Sequence, residues 1–248
     1  MNYWKIVRKV LRESNVVLEV IDARFAKGTR NKELEESCKK ADKKLIIIVN
    51  KIDLISKEKA FEIEKEFSQT AYTALTSTRL RKGKHKIMGI LKMFAKNKDI
   101  FVTVIGYPNT GKSSVINYLK GSHSAKTSIH AGETKGKQFL RIAPNIMLVD
   151  TPGVIPFFKG GEGQLSLLAA KSPNNIKKPE EAAYKIIQEL KNKGEKELFE
   201  VKLIGENEKI LIEIAIAKKK LKQKGEPDTN AMARKIILDW QKGKIRTT

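Results

Sequence analysis

A single cysteine, Cys38, in 248 residues leaves no disulfide framework and no metal–thiolate site, and it points to a reducing compartment. No apolar run approaches the roughly 20 residues that span a bilayer. The two most hydrophobic stretches are residues 45–49 and 210–217, and Glu213 interrupts the second. The first five residues, Met-Asn-Tyr-Trp-Lys, have neither the apolar core nor the cleavage site of a secretory signal. These absences predict a cytoplasmic chain with no stable membrane association. Acidic residues are also scarce, 28 Asp+Glu against 50 Lys+Arg, for a net charge of +22.

What is present is a hydrophobic fraction of 40%, too high for a disordered chain and ample for a buried core. The positive excess is uneven: residues 1–178 carry a net +18, and residues 179–248 only +4. Residues 78–98 hold eight basic side chains (Arg79, Arg81, Lys82, Lys84, Lys86, Lys92, Lys96, Lys98) and no acid. Such a field suits a polyanion, nucleic acid or an anionic membrane surface. A solvated Lys-rich surface of the kind favoured at high temperature is the competing explanation.

Buried strands are expected at residues 16–21, 45–50, 71–77 and 101–106, with helices at 31–42, 57–69, 84–96 and 113–120. Two further strands, 138–142 and 146–149, flank a turn at Pro144-Asn145. Alternating strands and helices predict an α/β domain with a mostly parallel sheet covered on both faces. Composition changes near residues 171–179, where Ser172-Pro173-Asn174-Asn175 and Pro179 mark a linker between a larger α/β domain at 1–175 and a small helical domain at 176–248. In the latter, Ile210, Ile214, Ala217 and Leu221 recur at helical spacing, as do Met232, Ile236 and Trp240.

Gly106-Tyr107-Pro108-Asn109-Thr110-Gly111-Lys112-Ser113 fits the phosphate loop G-x-x-x-x-G-K-[ST], between an apolar strand and a helix. Its backbone, with Thr110, Gly111 and Ser114, would cradle phosphates at the positive end of the helix. Lys112 would reach the β- and γ-phosphates, and Ser113 would ligate Mg²⁺. Asp150-Thr151-Pro152-Gly153 follows the strand 146–149, so Asp150 is a second Mg²⁺ candidate and the Gly153 N–H a γ-phosphate donor. Between them, Thr134 lies in a polar segment, 122–137, suited to a switch that orders around Mg²⁺.

Asn50-Lys51-Ile52-Asp53 also follows a buried strand. Asp53 would accept hydrogen bonds from guanine N1–H and its 2-amino group, and two charged hydrogen bonds give a preference on the order of 10²–10⁴ over adenine. The Lys51 stem would cover the base. Ser77 and Thr78, in Ser77-Thr78-Arg79 after the third strand, would add backbone contact to guanine O6.

The order is unusual, because the base motif precedes the phosphate loop. This resembles the circularly permuted GTPases, specifically the YlqF/YawG family of ribosome-assembly factors. Asp22-Ala23-Arg24, Gly28-Thr29-Arg30, the segment 132–138 and Lys224-Gly225-Glu226-Pro227-Asp228 are similar to that family as well. The resemblance implies a GTP-hydrolysing switch acting on the large ribosomal subunit, with rRNA as partner and the C-terminal helices helping to bind it. The motifs call for GTP/GDP and Mg²⁺ as ligands, and a monomer between binding events is expected. Asn109 matches the asparagine that holds K⁺ in potassium-dependent relatives.

Two departures bear on hydrolysis. The Phe-Pro-Gly-His-Met segment of bacterial members is absent, leaving His123 and His130 as the switch-segment histidines and His85 in the basic helix. Val154, not glutamine, follows Gly153, and an apolar side chain cannot orient water, so slow unassisted turnover is expected. A nucleotide-gated RNA-binding factor, a GTPase acting on another RNA and an ATPase remain the rival readings at this level.

Overall fold

The computed structural model describes residues 7–8, 11–120, 139–149 and 173–245. The chain divides into two compact units, Met1–Phe157 and Phe158–Thr248.

The first unit is built on a six-stranded sheet: β1 Val16–Asp22, β2 Lys44–Asn50, β3 Tyr72–Leu75, β4 Ile100–Ile105, β5 Phe139–Ala143 and β6 Ile146–Val149. Their spatial order is β3-β2-β1-β4-β6-β5, and every neighbouring pair is parallel except β5–β6. All seven residues of β1 are buried, which is why its sequence reads as an unbroken apolar run around Glu19. Glu19 pays for that position by titration. Burial, with the nearby Glu35 charge, pushes its carboxyl up to about 8, and Oε1 accepts the Asn31 N–H at 2.6 Å.

Among the described residues, helices α1 Lys32–Lys40, α2 Lys57–Ser68, α3 Lys84–Ala95 and α4 Lys112–Lys120 cover the sheet, joined by Val7 and Leu11. Alternate strand residues divide between them. Leu18, Val20, Ile46 and Val104 pack with Ile87 and Leu91 of α3 and Val115 and Leu119 of α4. On the opposite face Val17 packs with Leu34 and Cys38 of α1, and Ile47 and Val49 pack with Ile63 and Phe67 of α2. This is the α/β architecture expected, with helices on both faces. Asn31 and Ser56 cap α1 and α2, their side-chain oxygens accepting from the Leu34 and Lys59 N–H groups.

Connectivity positions the site. From β1 the chain steps outward through β2 to β3, then returns to lay β4 against the other side of β1. The switch point therefore lies between β1 and β4, and ligands of open α/β sheets bind beyond the carboxyl ends there. Asp22, Asn50, Ser77 and Gly106 all sit at or just past those ends.

The second unit is helical, with α5 Pro179–Asn192, α6 Asn207–Ala217 and α7 Thr229–Gln241, plus a short ladder of β7 Glu197–Leu198 and β8 Val201–Lys202 that sequence periodicity is too short to reveal. Ile186, Ile187, Leu211, Ile214, Ile236 and Trp240 form its core. Two expectations are corrected. At the expected linker, the carbonyls of Pro173 and Ile176 accept from the Arg234 guanidinium of α7. Pro179 opens α5 instead of marking a linker; its fixed φ and missing N–H suit the first helical position. In α6 the buried face is Ile210, Leu211, Ile214 and Ala215, while Leu221 lies beyond the helix and is exposed. Among the described residues no helix is long and apolar enough to cross a membrane.

Candidate nucleotide site

The glycine-rich turn after β4 has the backbone its motif demands. Gly106 and Gly111 take φ of +151° and +99°, and Asn109 takes +60°. A Cβ on Gly106 would lie 2.2 Å from the Val20 carbonyl oxygen, and one on Gly111 would lie 2.2 Å from Asn50 Nδ2. Only glycine permits both the dihedrals and these approaches.

The second approach joins the two halves of the site. Asn50 Nδ2 donates to the Thr110 carbonyl at 2.9 Å, and Asn50 Oδ1 accepts the Thr78 N–H at 3.4 Å. One buried amide thus ties the loop after β2 to the phosphate loop and to the loop after β3. Thr110 is itself buried, its hydroxyl donating to the Tyr107 carbonyl at 2.9 Å. Asp53 lies in the turn Ile52–Leu54 with its side chain 8% exposed. Its Oδ1 accepts the Ser77 hydroxyl at 2.6 Å, and Arg79 stands 3.9 Å from Oδ2. Ser77 thereby aims the carboxylate.

Lys51 adopts φ +65°, and its ammonium donates to Asp22 Oδ2 at 2.9 Å and to the Asn109 carbonyl at 2.5 Å. Asp22 also receives two hydrogen bonds from the Arg24 guanidinium, at 3.0 and 2.8 Å. Burial would raise the Asp22 carboxyl, but the Arg24 and Lys51 cations outweigh it and hold it at about 2. Thr29 accepts the Asp22 N–H at 3.0 Å, which accounts for both short basic motifs near the end of β1. Residue chemistry alone gave Asp22 no place in the site. The available signal was its position, an acid directly after a buried strand at the switch point.

Lys112 opens α4 and donates to the Tyr107 carbonyl at 2.8 Å. No carboxylate pairs with it among the described residues, and desolvation alone pushes it down to about 8. A desolvated ammonium at a helix N-terminus fits an anionic ligand. Ser113 and Ser114 are exposed in the first turn of α4. Thr134, Asp150 and Gly153 lie outside the described residues, as do His123, His130 and Val154. A broad cleft of about 1060 Å³ beside Lys44, Ala71 and Tyr72 borders the opposite ends of β2 and β3, away from Asn50, Asp53 and Lys112.

A permuted sheet with a phosphate loop at its switch point and an Asn-Lys-x-Asp loop beside it defines a class, the P-loop nucleotide-binding proteins of guanine type. A family model described as RsgA GTPase matches residues 13–157, and one described as 50S ribosome-binding GTPase matches residues 101–219. The chain belongs to the circularly permuted GTPases, as the YlqF/YawG resemblance implied. It is 36% identical to a GTP-binding protein of Methanocaldococcus jannaschii over 97% of this chain and 65% of that one. It is 32% identical to nuclear/nucleolar GTPase 2 of Arabidopsis thaliana, over 98% of this chain and 43% of the relative. The chain therefore spans less than two thirds of these relatives. Its fold matches GNP-bound YlqF from T. maritima with a TM-score of 0.73 at 23% identity, covering 98% of this chain and 95% of that one. The GDP-bound form gives 0.72, covering 96% and 94%.

Proposed function

We propose that this chain binds GTP between the carboxyl ends of β1 and β4, hydrolyses it slowly alone, and acts as a switch in assembly of the large ribosomal subunit, whose particle stimulates turnover. The observation that carries the nucleotide assignment is the union, through Asn50, of a desolvated Lys112 and a pre-aimed Asp53 in one crevice. The ribosomal assignment is supported by the family description of a 50S ribosome-binding GTPase and by the nucleolar relatives.

In this mechanism Asp53 accepts from the guanine N1–H and 2-amino group, with Ser77 fixing its orientation. Residues 109–114 offer backbone N–H groups to the phosphates, and Lys112 leaves the Tyr107 carbonyl to neutralise charge on the β,γ-bridge. Ser113, with Thr134 and Asp150, would hold Mg²⁺, which supplies positive charge at the β- and γ-oxygens. Asn109 would hold K⁺ in the manner of potassium-dependent relatives, and equal turnover in K⁺ and Na⁺ would remove that role. Gly153 would donate its N–H to the γ-phosphate. Val154 supplies no group to orient water, so that group comes from the particle or is ordered by it. The C-terminal helices and the basic face of the first unit bind rRNA, in the cytoplasm and as a monomer between encounters.

The test is GTP turnover with and without purified large subunits, in K⁺ buffer at fixed salt, with tRNA as control. Strong stimulation by subunits alone supports the reading. Unchanged turnover with tighter subunit binding in a non-hydrolysable analogue would instead favour a nucleotide-gated RNA-binding factor. If neither effect is seen, the GTP site stands and the ribosome leaves the assignment.

A further inference from the structure

Gly89 sits in the middle of α3 and is exposed, with an ordinary helical backbone. A Cβ added there would meet nothing within 4 Å among the described residues. No positive φ, tight internal packing or cap accounts for a glycine here, and glycine weakens a helix interior relative to alanine. What remains is close approach from outside.

The surroundings of Gly89 indicate what approaches. At 100° per residue, His85, Lys86, Lys92 and Met93 all fall within about 60° of Gly89 around the helix, and each is exposed. Lys96 and Lys98 continue the stripe past the helix end, and Lys82 precedes it. Lys86 pairs with Glu64 of α2 at 2.6 Å, whereas Lys82, Lys92, Lys96 and Lys98 form no ion pair among the described residues, and no acid occurs from residue 78 to 98. The opposite side of α3, Ile87, Leu91 and Ala95, is sealed against the sheet. This helix therefore presents a gap flanked by cations, the shape and charge that suit a phosphodiester backbone lying against it.

We infer that the exposed face of α3 centred on Gly89 is an RNA-docking surface, on which the sugar–phosphate backbone packs against the helix and contacts Lys92 and Lys96. The inference rests on the ribosomal reading above and names the surface that serves it. The missing side chain lets the backbone approach, and the lysines supply salt-dependent affinity.

The experiment measures binding of the full-length chain to deproteinised large-subunit rRNA, and to intact large subunits, across a salt series. Gly89→Ala should raise Tm by about 2–4 °C, since it improves the helix. It should also weaken rRNA binding about tenfold, because the methyl occupies the contact. GTP turnover without RNA should not change. Lys92→Ala with Lys96→Ala should lower the salt slope of rRNA binding by about 2. A stabilised Gly89→Ala protein that binds rRNA as well as wild type overturns the inference. Weakened binding to subunits but not to bare rRNA overturns the RNA assignment and gives the face to a protein. Wild-type chain that binds no rRNA overturns it as well. If rRNA binding shows the expected losses while subunits leave turnover unchanged, this surface stands and only the stimulated-switch reading falls.

Discussion

The Lys51 ammonium stands 2.9 Å from the Asp22 carboxylate, joining the end of β1 to the base-recognition loop after β2. The same ammonium reaches the Asn109 carbonyl of the phosphate loop, so one buried charge network braces both halves of the nucleotide crevice. Desolvation lowers the Lys51 pKa, and Asp22 opposes that shift.

Removing the acid from this network leaves Arg24 and Lys51 buried without their counter-charge. Asp22→Asn should therefore cost about 3–5 kcal/mol in urea unfolding, in the range for breaking a buried pair. The acid limb has a defined sign. The folded carboxyl titrates at about 2, below the ordinary value of 3.8, so its contribution is complete above about pH 4 and is lost as pH falls towards 2. Comparing wild type with Asp22→Asn between pH 6 and pH 2 should show their stabilities converging.

Lys112 titrates at about 8 through desolvation, and polyphosphate would restore its charge. GTP binding at pH 8.5–9 should therefore take up a proton, seen calorimetrically as an enthalpy that depends on the buffer. Affinity should fall as pH rises above 8. Binding with no proton uptake at pH 9 would show that Lys112 does not face the phosphates.

Gly111→Ala places a methyl against Asn50 Nδ2 in a backbone that side chains rarely adopt. Either the loop or the amide must move, breaking the bond between Asn50 and Thr110. Nucleotide affinity should fall at least about tenfold, from an overpacking cost of roughly 1–3 kcal/mol, while Gly194→Ala serves as a control with an open site. Equal losses in the two variants, measured by fluorescent-nucleotide titration, would argue against the Asn50 link.

Asp53→Asn exchanges an acceptor-only group for one donor and one acceptor. GTP affinity should fall on the order of 10²–10⁴, and xanthosine triphosphate should bind in its place. Competition titration with GTP, XTP and ATP reads this directly. An unchanged preference would move the base site elsewhere.

Much of the architecture was legible along the chain. Val16 to Asp22 and Ile46 to Asn50 are buried on both faces, so their apolar runs announce central parallel strands without needing tertiary information. The two loop motifs were equally visible, because glycine spacing and an Asn-Lys-x-Asp turn express local backbone requirements. The boundary between units was less so: proline and asparagine at 173–175 look like a linker, yet they are claimed by Arg234, 61 residues away in sequence from Pro173. The β7–β8 ladder has only two residues per strand, below any periodicity.

The sequence by itself determined the strands, the phosphate loop and the guanine motif, since each depends on neighbours a few residues apart. The tertiary structure alone decided that Asn50 would bond Thr110, that Ser77 would aim Asp53, and that Asp22 would hold Lys51 in the crevice. Those partners are 60, 24 and 29 residues apart. They meet only because the chain reverses its direction of travel across the sheet between β1 and β4, bringing separate strand ends to one point.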